Sequence, residues 1–140
     1  MDKRGKKDIF VIEQELLNDF SVLVVLNHDS KESVLKEFDK DEQKRLKKIL
    51  RKKDFEQNKN GGASFITYLE KGYAVKTVVL LFDNTTVPNI LPIIVHEITH
   101  LMQYIRNKFW EGHDEDEFEA YMAALYFKLI YNRIKKNGDV

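Results

Sequence analysis

The sequence predicts an α+β fold in which a small β-sheet packs against two long helices near the C-terminus. Three observations lead to this prediction. Short runs rich in β-branched residues lie within the first 82 residues. The stretches that follow place apolar residues at helical spacing. The length of 140 residues suits one domain with one core, and no repeat or low-complexity linker divides it. We therefore expect residues 1–140 to form a single domain.

The first half of the chain predicts one or two strands and a helix. Met1–Lys7 is polar and basic and is expected to be disordered. The apolar run Ile9–Ile12 favours either a strand or the start of a short helix, whereas Phe20–Leu26 is short and rich in valine, which indicates a buried strand. Ser30 is a good N-cap and the apolar residues after it recur at helical spacing, so we predict a helix over residues 30–53.

The second half predicts a hairpin followed by two helices. The runs Ala63–Leu69 and Tyr73–Phe82 flank a turn that contains a glycine. The second run is continuously apolar at its end, as expected for a strand buried on both faces. A helix is predicted over about Pro88–Lys108, with Pro92 as an alternative first residue because proline suits a helix start. A last helix is predicted over about Asp114–Lys136.

Composition excludes several classes of protein. The 23 basic and 23 acidic residues cancel, so bulk charge does not predict a nucleic-acid-binding protein. The chain has no cysteine, which excludes disulfide scaffolds, cysteine-ligated zinc and cysteine nucleophiles. No apolar run approaches the roughly 18 residues of a membrane span, and the N-terminus lacks the apolar centre of a signal peptide. We expect a cytoplasmic protein that does not bind a membrane.

One segment, Lys44–Lys53, is basic and amphipathic. Such a segment could contact nucleic acid, an acidic partner or a membrane surface. Its apolar residues recur at helical spacing and no aromatic residues are interleaved for base stacking, which favours a solvent-exposed helix face. Nucleic-acid binding is therefore not the function that we expect.

The motif with a specific chemistry is His96-Glu-Ile-Thr-His100, inside the first of the two long helices. Histidines four residues apart lie on one helix face, one turn apart, so both imidazoles can bind one metal ion. Glu97 lies about 100° further round the helix, where it can act as a general base but not easily as a third ligand. Burying these polar side chains in so apolar a helix would be costly without a partner. The motif therefore predicts a zinc site.

A zinc site of this type needs a third protein ligand. Arg106 stands where the metzincin pattern would place a third histidine, so the ligand must come from elsewhere. The next predicted helix begins with an acidic segment. Glu119 shares its face with apolar residues and with a small alanine, which favours it as the ligand. Glu115 is the alternative, and Glu117 lies on a more polar face.

The segments Val95–Gln103 and Glu119–Tyr121 together resemble the gluzincin branch of the zincin metallopeptidases, and also the small HExxH proteins of tailed phages and prophages. The resemblance covers about residues 63–131. It implies a minimal zincin-like domain, in which a mixed β-sheet packs on the HExxH helix and a C-terminal helix carries the glutamate. It implies one Zn²⁺, with its protein ligands and the catalytic base at these positions: His96, His100 and Glu119 for the metal, and Glu97 for the base.

The same resemblance implies hydrolysis of a peptide or protein substrate by a zinc-bound water that Glu97 activates. A non-catalytic phage structural or regulatory protein that keeps the metal is the alternative, and a phage-encoded chain would act in the host cytoplasm. The candidates for stabilising the oxyanion are His113, Tyr104 and Tyr121. The predicted hairpin is the candidate for binding an extended substrate by strand addition, with the identity of its edge strand left open.

Overall fold

The computed structural model describes six stretches of the chain: residues 5–13, 20–56, 63–68, 77–88, 90–109 and 116–138. Within them, the backbone alone is described at residues 56, 63–68, 108–109, 116 and 118. The described part is a small α+β structure with a mixed sheet and two long, packed C-terminal helices, so the predicted fold class is confirmed at that level. Among the described residues, no helix is both long and apolar enough for a membrane span.

The sheet has four strands in the order β1-β2-β4-β3. These are β1 (Asp8–Glu13), β2 (Ser21–Leu26), β3 (Ala63–Tyr68) and β4 (Thr77–Phe82). The central strands β2 and β4 pair in parallel, whereas β1 and β3 pair antiparallel at the two edges. Every residue of β4 is buried, as predicted for a strand covered on both faces. The run Ile9–Ile12 belongs to a strand, which decides between its two predicted conformations.

The helix predicted over residues 30–53 is wrong, because three helices occupy this stretch. They are α1 (Lys31–Leu35), α2 (Lys40–Ile49) and α3 (Lys52–Glu56). Ser30 caps α1 as expected, but Asp39 also takes an extended conformation and its Oδ1 accepts a hydrogen bond from the Glu42 backbone N–H at 2.9 Å. A capping aspartate begins a new helix because its side chain replaces the missing backbone acceptor.

The two long helices are α4 (Ile90–Phe109) and α5 (Asp116–Lys136). Pro92 is the third residue of α4, where its missing N–H leaves no helical hydrogen bond unmade. For the last helix, helical spacing predicts one apolar stripe of Phe118, Met122, Leu125 and Leu129. This prediction is wrong beyond Met122, because Leu125 is half-buried and Leu129 is 38% exposed. The buried stripe instead repeats every four residues, and it comprises Met122, Tyr126, Ile130 and Ile134.

Each face of the sheet carries its own core. On one face, side chains of β2 and β4 pack against α4 and α5. On the other, the alternate residues of the same strands pack against α1, α2 and α3. The segment after β2 forms α1, α2 and α3 on one face of the sheet, and the segment after β4 forms α4 and α5 on the other face. Helix α4 therefore packs against the sheet on one side and against α5 on another. One face of α4 remains exposed, and it includes the two histidines.

Ordered contacts with the rest of the molecule already begin at Lys6 and Lys7. Lys6 and Lys7 were predicted to be disordered, but the Lys6 carbonyl accepts a hydrogen bond from Asn27 Nδ2 at 2.7 Å. Lys7 Nζ donates to Ser33 Oγ at 3.3 Å. Asn27, which has a positive φ of 64°, also exchanges hydrogen bonds with Thr85. These contacts join the chain start to the carboxyl ends of β2 and β4.

Candidate metal centre

The two motif histidines lie side by side on the exposed face of α4. Nε2 of His96 and Nε2 of His100 are 3.1 Å apart, and the two rings meet at 83° with their centroids 4.6 Å apart. Both side chains are exposed. The helix produces this arrangement directly, because residues four apart lie one above the other on the same face.

This separation suits two nitrogen atoms that bind the same metal ion. Two nitrogen ligands at about 2.05 Å from one tetrahedral zinc ion lie about 3.3 Å from each other. Two facing imidazole nitrogens can otherwise share one proton, with one ring as donor and the other as acceptor. The histidine pair therefore fits two corners of a zinc site without rearrangement of α4.

The carboxylate of Glu97 lies on the buried side of the pair. The residue is 6% exposed, and its Oε2 has no hydrogen-bond donor among the described residues. Burial raises the pKa of Glu97, and the charges of His100 and His96 act in the opposite direction. A buried carboxylate with a free oxygen is costly for a fold to keep. Such groups are common at sites where a carboxylate moves protons.

The structure does not bring Glu119 to the histidines. Its Oε2 accepts a hydrogen bond from Arg106 Nε at 2.9 Å and is also contacted by Nη2 of the same arginine. Arg106 follows His100 by six residues, which corresponds to about 9 Å along α4 and about 120° around it. Among the described residues, no three His, Asp or Glu side chains form a group that could hold a metal ion.

The third ligand therefore stays a prediction. Glu115 lies outside the described residues, and Glu117 is exposed on α5. Glu119 has the burial that the helix pattern predicted: its side chain is 21% exposed and it faces the same groove as Ala123. The helix pattern predicts no partner for Glu119, although opposite charges on two facing helices are a signal for an ion pair.

An open cavity of about 500 Å³ lies between α4 and α5, next to this ion pair. Arg106 and Glu119 lie at its polar part, and Thr99 and Gln103 connect it to the histidine face of α4. The rest of its wall is apolar: Val95, Ile98, Met102, Ala120, Ala123 and Phe127. Volume and lining are those of a ligand-binding pocket, with few polar groups in a mostly apolar wall.

The candidates for an oxyanion-stabilising residue differ in their surroundings. Tyr104 packs against Phe20 at 6.4 Å between ring centroids, and burial raises the pKa of its hydroxyl to about 12. Tyr121 is 66% exposed on α5, and His113 lies outside the described residues. Of the two described candidates, Tyr104 is thus the partly buried one.

The remaining described histidine, His28, is not part of this centre. It is 1% exposed, and its Nδ1 lies 2.8 Å from Ser33 Oγ. Burial lowers the pKa of His28, and the charge of Lys7 acts in the same direction. A hydrogen-bonded, buried imidazole is typical of a structural residue.

Comparisons with models of protein families, with curated protein sequences and with solved structures gave no match for this chain. The interpretation of the centre therefore depends on the residues and on their geometry.

Proposed function

We propose that the chain is a small zinc-dependent metallopeptidase-like protein of the zincin type, and that it hydrolyses peptide bonds. The observation that carries this proposal is the geometry on α4: two exposed imidazole nitrogens 3.1 Å apart beside a buried carboxylate with a free oxygen. A structural metal site needs the histidines but has no use for such a carboxylate. Glu97 thus argues for catalysis.

His96 and His100 would hold the zinc ion, with the third protein ligand on or before the start of α5. When bound, the ion supplies a Lewis acid that polarises the scissile carbonyl and lowers the pKa of a water molecule. Glu97 would accept the proton of the attacking water at its carboxylate and pass it to the leaving amine nitrogen.

The edge strand β3 supports the same function. It pairs on one side with β4, and it lies against α4, the helix of the HExxH motif. An edge strand beside the metal helix can bind an extended peptide through backbone hydrogen bonds. This answers which strand of the predicted hairpin is the edge, since β4 lies inside the sheet.

The proposal is tested by metal analysis and by cleavage of a peptide library. We expect one zinc ion per chain in the wild type and in Glu97→Gln, with cleavage by the wild type alone. His96→Ala should lose zinc and cleavage together. Glu32→Gln, which changes an exposed glutamate on α1, is the matched control and should keep both. A wild type without bound zinc after incubation with the metal would contradict the proposal.

The alternative is a non-catalytic protein in which the metal serves a structural or regulatory role. Under this alternative, the wild type binds zinc but does not cleave peptides, and Glu97→Gln changes neither property. The same set of variants therefore separates the two functions.

A further inference from the structure

We infer that Arg106 and the metal compete for Glu119, so that Arg106 sets the metal affinity of the centre. This inference rests on the proposed function, because it needs the histidine pair to bind a metal. Nothing in the HExxH motif assigns a role to Arg106. Arg106 contacts Glu119, and Glu119 in this position does not complete a metal-binding group with the histidines among the described residues.

The contact is directed at the atom that a metal would use. Both Nε and Nη2 of Arg106 point at one oxygen, Oε2 of Glu119. A guanidinium hydrogen-bonded to a carboxylate oxygen neutralises its charge and occupies its lone pairs. A metal ion needs the same negative charge and lone pairs, so one oxygen cannot serve both partners fully.

Glu119 in its present position does not serve the histidine site. Its Oε2 accepts a hydrogen bond from Arg106, and among the described residues no three His, Asp or Glu side chains form a group that could hold a metal ion. To complete the histidine site, Glu119 must move, and its present contact with Arg106 gives way to one with the metal.

The surroundings allow the exchange. The side chain of Arg106 is 52% exposed and that of Glu119 is 21% exposed, so water can solvate the arginine once the pair separates. The cavity of about 500 Å³ beside them offers space between the helices. Ala120 and Ala123, the residues of α5 that line this cavity near Glu119, are small.

Zinc affinity tests the inference, measured by competition with a chromophoric chelator at fixed pH and salt. Arg106→Ala should bind zinc about two- to fivefold more tightly than the wild type, the range that a partly exposed ion pair can supply. Arg106→Lys should lie between the two. Glu119→Gln should bind zinc weakly, and Arg106→Ala combined with Glu119→Gln should bind no more tightly than Glu119→Gln alone.

The double variant separates competition from simple charge repulsion. If Arg106 weakens binding merely as a nearby positive charge, the gain from Arg106→Ala persists in the Glu119→Gln background. Arg133→Ala removes an arginine that pairs with Asp8 at the other end of α5, and it should leave the zinc affinity unchanged. This variant controls for general loosening of the helix.

A second readout follows Arg106 itself. In the zinc-free protein, its Nε–Hε group donates to Glu119, so its NMR cross-peak should shift when zinc is added. A cross-peak that stays in place while zinc binds would overturn the inference and leave the proposed function intact, as would unchanged or weaker binding by Arg106→Ala. Absence of zinc binding by the wild type would overturn both.

Discussion

The last helix is held at each end by an arginine paired with a carboxylate, and the two pairs are built differently. At the C-terminal end of α5, Arg133 donates to both carboxylate oxygens of Asp8, and Asn137 donates to the same carboxylate at 2.9 Å. The Arg133 guanidinium also lies 5.0 Å from the centre of the Phe10 ring. At the N-terminal end, Arg106 contacts a single oxygen of Glu119 and is half-exposed.

The difference indicates which pair is structural and in which pair the carboxylate can exchange its arginine for a metal ion. Burial by itself raises the pKa of Asp8, but the hydrogen bonds from Arg133 and Asn137 and the charge of Arg133 outweigh it, so the pKa is lowered. A carboxylate with three donors and an adjacent ring cannot leave without losing several contacts at once. Glu119 loses one partner when it leaves Arg106. The C-terminal pair should therefore set stability, and the N-terminal pair should set metal binding.

The largest effect expected from this comparison is on zinc binding. Glu119→Gln should weaken zinc affinity about 100-fold or more, because a direct ligand contributes more than the ten- to hundredfold typical of supporting residues. Asp8→Asn changes the matching carboxylate at the other end of α5 and should leave the affinity within about twofold. Isothermal titration with zinc measures both. Equal affinities for Glu119→Gln and the wild type would move the ligand to Glu115.

The next effect is on stability. Arg133→Ala should lower the free energy of unfolding by about 1–2 kcal/mol, because it leaves the half-buried Asp8 carboxylate without its main donor and removes the cation–π contact. Urea denaturation of the zinc-free protein measures this value. Lys135→Ala, an exposed neighbour in the same turn, is the control and should change stability by less than about 0.5 kcal/mol.

A smaller effect is the pH dependence of the stability that the Asp8 carboxylate contributes. The pKa of Asp8 is lowered in the folded protein from its ordinary value of 3.8, so the folded state favours the charged form. Its contribution to stability is present in full above about pH 5 and is lost as pH falls through the folded pKa. The stability difference between wild type and Asp8→Asn should therefore shrink below pH 3.8. A difference that is constant down to pH 2 would contradict the assigned role of the Asp8 charge.

The smallest effect on stability should come from the Arg106–Glu119 pair. Arg106→Ala should change the stability of the zinc-free protein by no more than about 0.5 kcal/mol, since exposed ion pairs contribute little against solvent and side-chain entropy. Thermal unfolding without zinc measures this change beside Arg133→Ala. If Arg106→Ala is as destabilising as Arg133→Ala, both ends of α5 are structural and the comparison fails.

Much of the fold could be predicted because burial and periodicity leave a direct record in the sequence. The valine- and leucine-rich runs of β2 and β4 indicated buried strands, and both strands are buried except at Ser21. The helix over residues 30–53 could not be predicted as three, because the spacing of apolar residues hardly changes at Asp39. The break between α1 and α2 depends on the side chain of Asp39, which caps α2.

For the candidate centre, local geometry was predictable and the long-range partner was not. The spacing of His96 and His100 requires adjacent imidazoles on any straight helix, and their ring nitrogens are 3.1 Å apart. The surroundings of Glu119 depend on how far α5 is displaced along α4. That displacement is decided by the packing of side chains along two helices, which no local pattern encodes.

The sequence by itself determined the chemistry that is available: without cysteine, the protein ligands of any bound metal would be histidines and carboxylates, and helical spacing places two histidines side by side. It also indicated that the strands now seen as β2 and β4 are buried, because continuously apolar strands are stable only when they are covered. The tertiary structure alone decided that Arg106 pairs with Glu119, that β3 is the edge beside the HExxH helix, and that Asp8 pairs with Arg133 near the end of α5. These are contacts between segments far apart in the chain, and they are selected by the packing of the whole molecule.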